Sequence, residues 1–140
     1  MYVVDASVWI SWFVPADAYH DPSRRWMSAQ VVQGESVAAP LLVLAEVAGA
    51  VARRTGLSEL GAHAVSLMQH LPNARLVPID AELAQLGAQL AAELRLRGAD
   101  ALYVALARRL GIPLVTWDQE QRERGRPLVA VLNPQDILTL

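Results

Sequence analysis

Neither cysteine nor lysine occurs among the 140 residues. Without cysteine there is no disulfide, no thiolate metal site and no cysteine nucleophile. Without lysine, all 12 basic residues being arginine, there is no P-loop, no Schiff-base chemistry and no lysine partner for a phosphoaspartate. A bilayer-spanning run is also missing. The longest apolar stretch, Ala38 to Ala52, is interrupted by Glu46 and is too short to cross. The chain opens on a strand-like segment with no basic-then-apolar leader. A soluble, cytoplasmic protein is the expectation. The length suits a single domain over residues 1–140 with a sizeable core. No linker, fixed-period repeat or low-complexity tract interrupts it. A net charge of −2 does not advertise nucleic acid, yet four carboxylates set against a metal would leave a frame of +2.

What is present alternates. Tyr2-Val-Val, Ser36 to Pro40, Arg75 to Ile79, Ile112 to Trp117 and Leu128 to Leu132 are short β-branched or apolar runs that read as buried strands. Helices are expected between them. One follows Asp5. Another runs to about Val32, opened by Asp21-Pro22 as N-cap and first-turn proline. A third spans Leu41 to Arg54 and closes at Thr55-Gly56. Ser58 is expected to cap the next, to about His70. Further helices run from Asp80 to about Arg97, from Asp100 to Leu110, over Gln119 to Glu123, and from Asn133-Pro134. Strict alternation implies a parallel sheet covered on both faces: an α/β fold, a three-layer α/β/α sandwich with five strands.

Four carboxylates stand out. Asp5 ends the first strand, and ligands of open parallel sheets bind beyond strand carboxyl ends. Asp118 ends the fourth strand in the same way. Glu46 lies in Leu-Val-Leu-Ala-Glu-Val-Ala-Gly-Ala-Val, apolar on nearly every face and so expected to be buried, where an unpaired carboxylate costs several kcal/mol. Asp100 precedes the almost wholly apolar Ala-Leu-Tyr-Val-Ala-Leu-Ala. Each has a structural alternative: N-capping for Asp5, Asp100 and Asp118, and an ion pair with Arg53 or Arg54 for Glu46. Asp80, another strand-ending acid, reads as a cap alone. Taken together the four supply hard oxygen donors and no soft ones, which suits Mg²⁺ or Mn²⁺. His63 and His70 read as surface or packing residues.

Val-Val-Asp5-Ala-Ser7, Glu46 in its apolar helix, Gly98-Ala-Asp100-Ala-Leu-Tyr-Val-Ala-Leu-Ala and Leu-Val-Thr116-Trp-Asp118 together resemble a PIN domain, and most closely the VapC-type toxin ribonucleases of toxin–antitoxin pairs. The resemblance spans essentially the whole chain. It implies a five-stranded parallel sheet in order 3-2-1-4-5, which makes strands 1 and 4 neighbours and sets Asp5 beside Asp118 while leaving Asp80 at the edge. Asp5 and Asp100 would be the principal ligands of a catalytic Mg²⁺ (Mn²⁺ a substitute), and Glu46 and Asp118 would complete the cluster. Ser7 and Thr116 would orient carboxylates, water or phosphate, or else serve in local capping.

The implied activity is endonucleolytic hydrolysis of RNA, leaving a 5′-phosphate and a 3′-hydroxyl. Arg97, just before Asp100, is the first choice for a phosphate contact. The resemblance also implies a cognate VapB-type antitoxin, whose C-terminal segment would place an arginine among the acids, and a homodimer, for which the apolar helices between Leu41 and His70 offer a surface. Trp117 stands where the family often has a small or polar residue. It could stack on a base, but packing beside the sheet is the simpler expectation. The alternative function is a degenerate, non-catalytic PIN module acting as an interaction or scaffold protein.

Overall fold

The computed structural model describes residues 1–140. Five short parallel strands form one sheet: β1 (Tyr2–Val4), β2 (Val37–Pro40), β3 (Ala74–Val77), β4 (Leu114–Val115) and β5 (Val131–Leu132), in the order β3-β2-β1-β4-β5. Val3 is aligned with Ala38 on one side and Leu114 on the other, and all three are buried. The sheet centre is therefore the apolar ridge that the sequence shows as uninterrupted β-branched and small residues.

Eight helices surround it: α1 (Ala6–Phe13), α2 (His20–Gln33), α3 (Val43–Thr55), α4 (Ser58–His70), α5 (Ala81–Leu94), α6 (Gly98–Leu110), α7 (Gln119–Gly125) and α8 (Pro134–Leu138). They fall into two groups. Helix α1 packs on α2 and α3, α2 on α8 and α3 on α4; separately, α6 packs on α5 and α7 and lies across β1, β2 and β4. Alanines make the second contact close. Ala101, Ala105 and Ala107 are fully buried along with Tyr103, Val104 and Leu106, so α6 is the central helix its composition suggests. Trp9 of α1 is also fully buried, and its indole N–H donates to the Val4 carbonyl at 3.2 Å. Truncating it to alanine would cost about 3–5 kcal/mol.

Several local expectations are corrected. Helix α2 begins at His20 with Tyr19 at the N-cap and no side-chain cap; Asp21 instead pairs with Arg24 at 3.4 Å. Ser58 is the first residue of α4 and Leu57 occupies the cap position, again without a side-chain bond. Helix α5 ends at Leu94, where Arg95 takes a left-handed conformation (φ 56°). The last two strands shrink to two residues each because only those align with a neighbour. Helix α3 is not buried all round. Only the stripe Val43, Val47, Ala50 and Val51 is inside. Its neighbour α4 comes so close that a Cβ on Gly61 would lie 2.5 Å from the Ala48 carbonyl oxygen. Leu57, Leu60 and Leu67 remain exposed along that pair. No helix is long and apolar enough to cross a membrane.

Candidate active site

The carboxyl ends of β1 and β4 meet where the strand order reverses, the usual position of a ligand crevice. Asp5 follows β1 directly and Asp118 lies just past β4, while Glu46 and Asp100 sit in the first turns of α3 and α6. The chain thus brings its four singled-out acids to one place. Glu46 feels the negative charge of Asp5 and Asp100, and Asp100 feels that of Asp5 and Asp118.

Asp5 is the most enclosed, at 5 % exposure. Its Oδ2 accepts the Ser7 backbone N–H at 2.9 Å and the Thr116 hydroxyl at 3.3 Å; its Oδ1 accepts Gln121 Nε2 at 3.4 Å. Burial raises its pKa, the Ser7 and Gln121 bonds oppose the rise, and the Asp118 charge adds to it. Glu46 is raised chiefly by burial and further by Asp5 and Asp100, while the bond from the Tyr103 hydroxyl, at 2.6 Å, pulls it down. That phenol is the partner of Glu46. Neither Arg53 nor Arg54 reaches it; Arg54 pairs with Asp17 instead. Asp100 is raised by burial and by Asp5 and Asp118, partly offset by Arg97.

Capping and site membership coexist. Asp5 caps α1, and Asp118 caps α7 by accepting the Gln121 N–H at 2.7 Å. Asp100 caps nothing; its carboxylate receives only the Arg97 Nε–H, at 3.3 Å. Asp80 caps α5 as expected, and in addition pairs with Arg109 at 3.0 Å, away from the other acids.

The two hydroxyls lock β1 to β4. The Trp117 N–H donates to Ser7 Oγ at 3.0 Å, Ser7 Oγ lies 3.4 Å from Thr116 Oγ1, and Thr116 donates to Asp5. Since the single Thr116 proton goes to Asp5, Ser7 is the donor between the hydroxyls. Thr116 also accepts the Asp118 N–H at 3.0 Å. Both hydroxyls are thereby spent on holding the acids in place.

A family model, "PIN domain", matches residues 2–127. The chain belongs to the PIN domain family. No curated protein matches it by sequence. Among solved structures, it resembles VapC20 of Mycobacterium tuberculosis, a sarcin-ricin loop cleaving toxin, with 22 % identity and a TM-score of 0.77 over 89 % of this chain and 95 % of that one. It also resembles FitAcB of Neisseria gonorrhoeae (20 % identity, TM-score 0.72, 96 % and 99 % covered) and VapBC2 of Rickettsia felis bound to a promoter DNA fragment (15 % identity, TM-score 0.70, 94 % and 97 % covered). At these identities the likeness is one of fold.

Within this PIN domain no three His, Asp or Glu side chains are arranged to hold a metal ion by themselves. The donors are all carboxylate oxygens, three of them with raised pKa, and the only cation beside them is Arg97, 3.9 Å from Asp118 and 77 % exposed. Such a set suits a hard divalent ion that keeps waters and admits a substrate oxygen. His63 and His70 are exposed, in keeping with a surface role.

Two residues of the PIN domain site were not singled out from sequence. Gln121, fully buried, donates to Asp5 and to the Asp100 carbonyl at 3.1 Å, and its Oε1 has no partner. In Gln-Glu-Gln-Arg-Glu-Arg-Gly it looks like one of several solvated polar residues, and no local signal separates it. Tyr103 could have been flagged as a lone hydroxyl in an otherwise apolar helix.

Proposed function

We propose that this PIN domain is a metal-dependent endoribonuclease and the toxin of a type II toxin–antitoxin pair. One observation supports the reading: acids from four separate segments lie near enough at one end of the sheet for their charges to oppose each other, and only the exposed Arg97 offsets them. Keeping such a pocket has a thermodynamic cost that packing does not require, so it points to a cationic ligand.

Asp5 and Asp100 would be the principal ligands of Mg²⁺ or Mn²⁺, with Glu46 and Asp118 completing the set. A divalent ion there would lower the pKa of water and neutralise the phosphate during in-line attack. The chain's own groups prepare that chemistry. Thr116 and Gln121 hold the Asp5 carboxylate in one orientation, and Tyr103 does the same for Glu46. Arg97, long and exposed, is placed to leave Asp100 and Asp118 for the scissile phosphate once the acids are neutralised by a metal.

The toxin half of the reading draws on the neighbours, several of which are VapBC and FitAB complexes. A VapB-type antitoxin would block the pocket, and a homodimer through the apolar α3–α4 pair, with its exposed Leu57, Leu60 and Leu67, would fit the same pattern. The deciding experiment incubates the purified protein with RNA and with DNA. RNA cleavage is expected with Mg²⁺ or Mn²⁺, and its loss with chelator and in Asp5→Ala and Asp100→Asn. Cleavage that survives all three would place the activity elsewhere.

A further inference from the structure

Next to the acids lies a cleft of about 330 Å³, lined by Ser7 and Asp118 of the acidic pocket, by Tyr19 and Trp117, and by Ala50 and Arg54 of α3. The two aromatic rings are stacked, with centroids 4.1 Å apart and planes within 7°. As expected, Trp117 packs against the core, but it is only partly buried and is held at its edge. Its indole N–H donates to Ser23 Oγ at 2.8 Å; Ser23 Oγ lies 2.6 Å from Ser11 Oγ, which donates to the Val8 carbonyl at 3.0 Å. Both serines are buried. A chain of buried hydroxyls that also ties α1 to α2 therefore fixes the edge of one indole.

Tyr19 is held too, although 48 % of it faces solvent. Its backbone N–H donates to Asp17 Oδ1 at 2.7 Å, and the other oxygen of Asp17 binds the Arg54 guanidinium. One carboxylate thus sets both the exposed ring and the arginine around the same cleft. The result is a rigid flat surface beside a cation, opening from the pocket in which a phosphate would be cut.

We propose that this cleft receives one unpaired nucleobase of the RNA strand being cleaved, stacked on the Tyr19–Trp117 pair with Arg54 donating to its polar edge. The proposal rests on the ribonuclease reading above and requires the base to be unpaired, because a base within a duplex is already stacked on its neighbours and cannot enter. A cleft for an apolar peptide side chain would not need Asp17, Arg54 and Asp118 on its walls. A flat heterocycle with hydrogen-bonding edges uses both the ring faces and the charges.

The test uses an unstructured RNA that the intact protein cuts with Mg²⁺, remade as a series in which each base around the cut bond is replaced in turn by an abasic riboside. KM and kcat are measured for the wild type, Tyr19→Leu and Tyr19→Phe. One abasic position should raise the wild-type KM roughly 5- to 150-fold, the range for loss of a base–aromatic stack, with kcat little changed. Tyr19→Leu should raise KM on the parent RNA to a similar degree and respond no further to that abasic position, while Tyr19→Phe should behave as wild type. Equal KM across the abasic series, or abasic sensitivity undiminished in Tyr19→Leu, would overturn the base cleft while leaving the nuclease intact. The same holds if Tyr19→Leu weakens only the grip of an antitoxin, for then the cleft is a peptide site. If the wild type with Mg²⁺ cuts no unstructured RNA offered to it, the ribonuclease reading fails first and takes the base cleft with it.

Discussion

Gln121 and Asp5, 116 positions apart, meet inside the protein, the Gln121 amide donating to the Asp5 carboxylate at 3.4 Å. The same amide nitrogen donates to the Asp100 carbonyl, so a single buried side chain links the ends of β1 and α6 beneath the acidic pocket. Substituting Gln121→Leu removes both bonds but also removes an oxygen that has no partner. The two effects oppose each other, and a net stability change within about 1 kcal/mol is expected. Activity should fall further than stability, by roughly 10- to 100-fold, as when a partner of a metal-binding carboxylate is lost. Parallel urea melts and cleavage rates check this; equal, small changes in both would make Gln121 mere packing.

Asp100 caps no helix, so its charge can be removed without opening a turn. In chelator, Asp100→Asn should melt higher than wild type, since its raised pKa reports burial of a charge and repulsion from Asp5 and Asp118, both of which folding must overcome. With millimolar Mg²⁺ the order should reverse, because wild type gains binding free energy that the variant lacks. A variant that melts lower than wild type in chelator would contradict a repulsive pocket.

The raised values of Asp5, Glu46 and Asp100 carry a sign. Native carboxylates that hold protons more tightly than unfolded ones make the metal-free protein gain stability as pH falls through the raised values towards the ordinary ones. Asp80 works the other way. The Leu83 N–H and Arg109 lower its pKa, so its contribution is present above the ordinary value of 3.8 and is lost as pH falls through the lowered one. Urea denaturation in chelator should therefore show a maximum at mildly acidic pH. Saturating Mg²⁺ should move it towards neutrality, since metal ligands must be deprotonated. Metal-free stability that falls steadily from pH 7 would refute the assignment.

Tyr103→Phe removes one oxygen, the one 2.6 Å from Glu46. The Glu46 carboxylate loses its only side-chain donor and should protonate more readily, weakening Mg²⁺ binding about tenfold or more. Calorimetric titration of metal into the two proteins decides it.

Asp80→Asn is the control. The residue caps α5 and pairs with Arg109 at an exposed edge, so a small stability loss with unchanged cleavage is expected. Lost cleavage in a folded Asp80→Asn protein would mean that the wrong acids had been chosen.

The strand-then-acid pattern at Asp5 and Asp118, and the acids set in apolar helices at Glu46 and Asp100, were legible because burial of a charge leaves a mark on local composition. Alternation of short apolar runs with helices likewise set the parallel sheet. Helix starts were less legible: Asp21-Pro22 and Ser58 satisfy the usual capping preferences, yet α2 and α4 start elsewhere, since packing outweighs a cap worth about 1 kcal/mol. The all-round burial expected of α3 failed because alanine and glycine tolerate exposure, and their abundance there reflects close approach to α4.

Which residue types stand out as acids in apolar surroundings is thus a matter of chemistry, and chemistry is written in the chain. Who stands behind them is not. That Tyr103 steadies Glu46, Gln121 steadies Asp5, and two buried serines fix Trp117 depends on helices and strands arriving side by side from distant parts of the chain. A glutamine or serine looks the same in sequence whether water or a neighbouring element satisfies it, and only packing makes the difference.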